Sequence, residues 1–160
     1  MSIETREGRY ARRIADLYVT DPQFAAAVPS AEVSAAADSP DLDLPEVVRT
    51  VLAGYAGRPA VGQRAVTTVT DPTSGRTSTT LLSRFDTLTY GELADRMQAL
   101  TGGLADTVQT GDRVAILGFT SIDYTTVDLA LTQLAAVSVP LQTSAPVPQL
   151  QPIVAETEPV

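Results

Sequence analysis

Apolar residues between Gly111 and Leu141 fall into three blocks that differ in spacing. The first, Arg113–Leu117, is a short apolar run bounded by glycine, which is typical of a buried strand. The second, Ile122–Ala136, carries an apolar stripe with helical spacing, and Val137–Leu141 is a β-branched run with a proline near its end. The stripe consists of Val127, Ala130, Leu131, Leu134 and Ala135. This order predicts a βαβ unit with parallel strands and a right-handed crossover.

The N-terminal quarter of the chain shows helical spacing interrupted by one aperiodic segment. Arg9–Val19 has an apolar side and a charged side, and Asp21 followed by proline predicts a second short helix that ends at Ala27. The segment Pro29–Pro45 is rich in alanine, serine, aspartate and proline, which predicts a surface loop. Helical spacing returns over Leu44–Tyr55.

The middle of the chain predicts a hairpin followed by a helix. Two runs rich in threonine, valine and leucine, Ala60–Thr70 and Arg76–Phe85, flank a turn sequence at 71–75. A helix over Thr89–Ala105 begins with a capping box, since Thr89 is followed three positions later by Glu92. A last amphipathic helix is predicted from Val147 to Glu156. The predicted fold class is therefore α/β, with N-terminal helices, a β-hairpin and a parallel βαβ unit.

Two short motifs give this pattern a family resemblance. Leu88–Leu93 resembles the L-T-Y-x-E-L motif of adenylate-forming enzymes, the superfamily of acyl-CoA synthetases and AMP-binding enzymes. Leu134–Leu141 resembles their L-x-x-G-A-V-x-V-P-L motif, although Ala135 stands where the family usually has glycine. The narrower resemblance is to the N-terminal part of bacterial carboxylic acid reductases. It depends on Arg13–Tyr18, Asp21–Phe24, Arg58–Arg64, Ala145–Val147 and Ile153–Pro159.

The resemblance implies that residues 1–45 form N-terminal helices and a loop, and that residues 46–160 begin a truncated adenylation (AMP-binding) domain. For the parent enzyme it implies that ATP and Mg²⁺ convert a carboxylic acid to an acyl-adenylate. A phosphopantetheine arm would then take the acyl group as a thioester, and NADPH would reduce it to an aldehyde.

In that family the phosphate loop, nucleotide contacts, metal ligand and catalytic lysine all follow the second motif. The resemblance therefore assigns no catalytic, cofactor-binding or metal-binding residue to this chain. We expect the 160-residue chain alone to be inactive and to bind none of these cofactors.

Composition supports this expectation and narrows the class of protein. The chain has no histidine, cysteine or lysine, so it lacks the commonest general base, thiolate ligands and a Schiff-base amine. A net charge of -8 argues against nucleic acid as a partner. The sequence contains neither an apolar run long enough to span a membrane nor a secretory signal, so cytoplasm is the expected location.

Two segments resemble ligand-binding loops. Thr73–Ser78 is similar to the phosphate loop of adenylate-forming enzymes, but Ser78 and Leu81 replace its second glycine and its lysine, which favours a hairpin turn. Gly118–Ser121 follows a predicted parallel strand, where open α/β sheets bind ligands and a helix N-terminus could hold an anion. Because every helix needs a cap, a capping role for Thr120 or Ser121 is favoured.

The acidic residues do not form a predicted catalytic or metal site. Asp123 and Asp128 lie about 140° apart on a helix, so they are not a carboxylate pair, and Asp123 complements the helix dipole. The acidic loop at 38–43 lacks the glycine and the distal glutamate of a calcium loop. Its acidic members are Asp38, Asp41 and Asp43; Glu156 and Glu158 have no visible partner.

Two other classes of protein stay open at this point. A fragment of an acyl-CoA or aryl-CoA ligase would share both motifs, and a small self-contained α/β binding module would need a sheet completed by its own strands. With only two parallel strands and a hairpin, the chain is expected to expose apolar surface and to self-associate.

Overall fold

The computed structural model describes residues 5–160, which contain seven helices and four strands. In chain order they are α1 (Arg6–Thr20), α2 (Pro22–Ala26), α3 (Ala31–Ala37), α4 (Leu44–Gly54), β1 (Pro59–Thr70), β2 (Thr77–Thr89), α5 (Tyr90–Leu104), β3 (Arg113–Leu117), α6 (Ile122–Gln133), β4 (Val137–Leu141) and α7 (Val147–Thr157). The predicted α/β class is confirmed. Two compact units are formed, over residues 5–36 and 37–160.

The first unit is built from helices with side-chain N-caps. The Thr5 hydroxyl accepts a hydrogen bond from the Gly8 amide at 3.2 Å and begins α1. Asp21 caps α2 with one carboxylate oxygen, which accepts from the amides of Gln23 and Phe24 at 2.9 and 3.0 Å. These contacts confirm the predicted aspartate cap with proline at the first helical position.

The segment predicted as a loop over Pro29–Pro45 is partly helical, so that prediction was wrong over α3. Ser30 accepts a hydrogen bond from the Val33 amide at 3.3 Å, and Glu32 lies in the first turn. Both features favour a helix start, and alanine, which dominates α3, has the highest intrinsic helix propensity. Alanine content outweighed the absence of an apolar period, because a short surface helix needs no continuous buried stripe.

The second unit contains two separate two-stranded sheets. Strands β1 and β2 pair antiparallel from Pro59 opposite Thr89 to Thr70 opposite Thr77. Strands β3 and β4 pair parallel from Arg113 opposite Val137 to Leu117 opposite Leu141, which confirms the predicted βαβ unit.

Helices α4, α5 and α6 supply most of the core of this unit. One cluster joins Leu52 of α4, Leu93 and Met97 of α5, and Ala130 of α6. A second cluster joins Val108, Ile116 of β3 and Leu131 of α6. Ala130 and Leu131 are fully buried, so α6 contributes to both clusters and holds the βαβ unit against the helices.

The predicted C-terminal end of α6 was wrong by three residues. The helix ends at Gln133, and Ala135 has a φ of 53°, in the left-handed region. An α-helix cannot continue through a residue in this conformation. Ala135 is also exposed, so it does not extend the buried stripe.

Candidate functional site

A cleft lies between β1 and the start of α6, beside the loop that follows β3. Its volume is about 330 Å³, and it is lined by Val61, Gly62, Gln63, Arg64, Thr120, Ser121, Ile122 and Thr125. This is the position at which parallel sheets bind ligands, and it includes the Thr120–Ser121 hydroxyl pair singled out in the sequence. Arg64 is the single ionisable group in its lining.

The N-terminus of α6 already has hydrogen-bond partners within the protein. The Ser121 hydroxyl accepts from the Tyr124 amide at 3.0 Å, and the Gln63 side-chain oxygen accepts from the Ile122 amide at 3.3 Å. Asp123 adds a carboxylate to the first turn. Because these amides are paired and the helix dipole is complemented by Asp123, an incoming anion would gain little here. The predicted cap is confirmed and is formed by Ser121.

The hydrogen bond between the Gln63 side chain and the Ile122 amide was not predicted from the sequence. Its side chain reaches from β1 to a helix that starts 59 positions later along the chain. A glutamine in a strand has no local signature as a helix cap, since capping from a distance depends on tertiary packing alone.

The tip of the hairpin excludes the phosphate-loop interpretation of Thr73–Ser78. One carboxylate oxygen of Asp71 accepts from the Thr73 amide at 2.7 Å and from the Ser74 amide at 3.1 Å. The Gly75 amide donates to the Asp71 carbonyl at 2.9 Å, with a φ of 68° at Gly75. The amides that a phosphate would need are therefore used by Asp71, and the predicted hairpin turn is confirmed.

These contacts also change the charge state of the turn. The amide hydrogen bonds from Ser74 and Thr73 hold the pKa of Asp71 below its ordinary value, because they stabilise the ionised carboxylate. An ionised aspartate at the tip would repel a phosphate group.

Three of the other acidic residues, Asp43, Asp128 and Asp123, make structural contacts. Asp43 caps α4 in a capping box with Glu46, at 2.9 and 3.0 Å. Asp128 accepts from the Ser138 hydroxyl at 2.5 Å and so ties α6 to β4. Asp123 lies 3.7 Å from Arg96 on the surface. Within residues 5–160, no three acidic, cysteine or histidine side chains are grouped as metal ligands.

A second cleft lies along helices α4 and α5 and touches the end of α6. It measures about 360 Å³ and has a floor that includes Leu52 and Met97. At its α6 end the Arg49 guanidinium donates to the Gln133 side-chain oxygen at 2.6 Å, and the Gln133 amide group donates to the Pro45 carbonyl at 2.9 Å. These bonds lock α4 to α6, so the polar groups at this end serve packing.

No helix in the described part of the chain combines the length and apolar character needed to cross a bilayer.

Comparison with known proteins identifies what this architecture is similar to. Residues 69–160 match the family of AMP-binding enzymes. The chain is 56% identical over 161 residues to a carboxylic acid reductase of Mycobacterium marinum, a match that covers 99% of this chain and 14% of the relative. The chain thus spans about one seventh of the length of that relative.

Solved structures of adenylation domains give the same result. The adenylation domain of the Segniliparus rugosus carboxylic acid reductase, in complex with AMP and a co-purified carboxylic acid, is 43% identical with a TM-score of 0.86. The match covers 93% of this chain and 24% of that domain. The adenylation domain of a Mycobacterium chelonae carboxylate reductase is 42% identical with a TM-score of 0.85, over 99% of this chain and 25% of that one. The resemblance to AMP-binding enzymes inferred from the two motifs is confirmed, and so is the narrower resemblance to the N-terminal part of carboxylic acid reductases.

Proposed function

The chain belongs to the AMP-binding enzyme family, and from that premise we propose that it is the N-terminal part of the adenylation domain of a carboxylic acid reductase. The observation that carries this proposal is 56% identity to such an enzyme along 99% of the chain. A CoA-ligase parent would share the two motifs, but it would not account for identity at this level outside them.

Within the parent, we assign residues 46–160 to the start of the adenylation domain and residues 1–45 to helices and a loop that precede it. The role of this segment is structural. Its capped α5 and its βαβ unit form part of the scaffold on which the nucleotide and acid sites of the complete domain are assembled.

The parent reaction is the one that the family implies. A carboxylic acid and ATP with Mg²⁺ give an acyl-adenylate, a phosphopantetheine arm accepts the acyl group, and NADPH reduces the thioester to an aldehyde. The proposed location is the cytoplasm.

We further propose that the 160-residue chain does not activate acids by itself. Lysine and histidine are absent from the sequence, and the amides of the hairpin tip that mimics a phosphate loop are already paired with Asp71. ATP–pyrophosphate exchange with benzoate or a fatty acid measures this directly. Exchange above a no-protein blank would contradict the proposal.

A chimera tests the assignment to the reductase family. Replacing the aligned N-terminal segment of the Mycobacterium marinum reductase with this chain should give an enzyme that still reduces carboxylic acids, because the scaffold contacts are shared. In the chimera, Ala130→Asp places a charge in a fully buried position and should abolish activity. Ala99→Asp, on the exposed side of α5, is the matched control and should keep it. A soluble, folded chimera without activity would contradict the proposal.

A further inference from the structure

We propose that the outer edge of β1, over Val66–Thr70, pairs with the same edge of a second copy of this chain. This inference does not depend on the proposed function. In the described part of the chain, β1 and β2 pair only with each other, so each strand leaves one edge of backbone amides and carbonyls without a strand partner.

The hairpin divides into an anchored half and an exposed half. Ala65 is 2% exposed and marks the last position of β1 that packs against the core, and a register shift lies between Arg64 and Val66. Beyond it, every residue of Val66–Thr70 and of the facing segment Thr77–Leu81 is exposed. A two-stranded ribbon is marginally stable in water, and an unpaired edge is a template for a further strand.

The composition of this exposed half favours pairing instead of opposing it. Proteins usually protect free edges with charged side chains or proline, and Val66–Thr70 contains neither. The whole chain carries a net charge of -8, so two copies repel each other over most of their surfaces. The uncharged edge is where identical copies can approach without that repulsion.

The sequence of the segment is also compatible with itself across a two-fold axis. If the axis passes beside Thr68, then Thr68 lies opposite Thr68 of the second copy, and Val66 lies opposite Thr70. Thr67 then lies opposite Val69. All these residues are β-branched, and such cross-strand pairs stabilise antiparallel sheets.

The edge of β2 is the poorer candidate, because Ser78 interrupts its β-branched run and the Ser78 hydroxyl donates to the Val69 carbonyl at 3.4 Å.

Pairing of two β1 edges would give a dimer with a four-stranded sheet in the order β2–β1–β1–β2. A contact this short falls below the roughly 1,200 Å² of a stable interface, so association is expected only at high protein concentration.

Disulfide trapping gives the most specific test. The chain has no cysteine, so Thr68→Cys introduces a single thiol. Opposite Cβ atoms in an antiparallel pair lie about 4.5–5.5 Å apart, close to disulfide range, and Thr68 faces its own counterpart. Mild oxidation of the full chain should therefore give a covalent dimer.

Thr79→Cys is the matched control, because Thr79 is the Cα partner of Thr68 on β2 and is also exposed. In the proposed sheet the two copies of Thr79 lie about 14 Å apart, at three strand spacings, and cannot be bridged. Equal cross-linking of the two variants, or none in Thr68→Cys, would overturn the proposal.

Sedimentation velocity over a concentration series gives an independent measurement. Thr68→Lys places two like charges opposite each other and should abolish the dimer, whereas Thr79→Lys should keep the wild-type association. Because both positions are exposed, circular dichroism of the two variants should match that of the wild type. If both lysine variants associate as the wild type does, the contact lies elsewhere and the proposed β1 pairing is wrong. A wild-type chain that stays monomeric throughout the concentration series would also refute the proposed pairing.

Discussion

The Ala136 amide donates a hydrogen bond to the Leu131 carbonyl at 3.0 Å and closes the C-terminus of α6. The Ala135 amide donates to the Thr132 carbonyl at the same distance, and Ala135 has a φ of 53°. These are the two bonds of a Schellman motif, in which the left-handed position is usually glycine. The family motif also has glycine there, so this chain places a β-carbon where the backbone disfavours one.

We therefore expect Ala135→Gly to stabilise the fold. A left-handed conformation costs an L-residue about 1–2 kcal/mol, and the larger chain entropy of unfolded glycine offsets about 0.4–1 kcal/mol of the gain. The net gain should be about 0.5–1 kcal/mol, measured from urea unfolding midpoints. Ala99→Gly, in the regular interior of α5, is the control and should destabilise by about 1 kcal/mol. A loss of stability in Ala135→Gly would contradict the left-handed assignment.

Ala135, which stands where the family motif has glycine, also shows which features could be predicted from the sequence. The motif identified an unusual residue, but only the backbone conformation explains why glycine is expected and why α6 ends before Ala136. Boundaries set by local chemistry were predictable, as with the Thr89 cap and the turn at 71–75. The Asp43–Glu46 capping box has the same local signature as the Thr89 cap. The helix start at Leu44 was predicted, but Asp43 was assigned to the preceding loop and not to the cap.

Contacts between distant segments were not predictable in this way. Gln63 caps α6, and Gln133 bonds the Pro45 carbonyl, because tertiary packing brings these polar groups together. Thr126 is 7% exposed, and its hydroxyl donates to the Ile122 carbonyl one turn earlier, so a polar residue occupies a core position. A pattern of apolar and polar residues assigns such a threonine to the surface.

The second prediction concerns the start of α5. The Thr89 hydroxyl accepts from the Glu92 amide at 3.2 Å, while the Glu92 carboxylate accepts from the Thr89 amide at 2.8 Å. Thr89→Ala removes the cap and should destabilise the chain by roughly 1 kcal/mol in urea unfolding. Thr89→Ser keeps a hydroxyl and should lower the free energy of unfolding much less. Equal midpoints for Thr89→Ala and the wild type would mean that the cap contributes nothing.

The third prediction is the pH dependence that this capping box produces. The hydrogen bonds from the Thr89 amide and hydroxyl, with a smaller contribution from Arg96, hold the pKa of Glu92 below its ordinary value of 4.5. Because the pKa is lower in the folded state, the stabilisation is present above pH 4.5 and is lost as the pH falls through the folded-state pKa.

When unfolding is measured from pH 7 down to pH 3, the free energy of unfolding should therefore fall less in Glu92→Gln than in the wild type. Glutamine can still accept the Thr89 hydrogen bonds but does not titrate in this range. Glu156→Gln removes the same charge from an exposed position on α7 and controls for the change in net charge. A Glu92→Gln profile parallel to that of the wild type would contradict this account.

The last prediction concerns the free edge of β3. The Val137 amide on β4 donates to the Asp112 carbonyl, whereas the Val160 amide donates to the next carbonyl, that of Arg113, at 2.9 Å. Successive carbonyls of a strand point in opposite directions, so Val160 lies on the edge of β3 opposite to β4. Within the described residues, β3 pairs with no strand on that edge beyond this single bond.

Parallel strands are normally buried on both faces, yet Leu117 is 59% and Val137 is 50% exposed. Helix α7 exposes Val147, Ile153 and Val154 nearby in the chain. We therefore expect the isolated chain to bind a hydrophobic dye such as ANS and to have only marginal stability.

The Thr68→Lys variant should keep this dye signal, because its change lies on the hairpin and not on β3. The active chimera should lose the signal, since its longer chain covers these surfaces. A monomer that melts in one sharp transition without binding dye would instead support a self-contained domain, because such a domain would leave no apolar edge to cover.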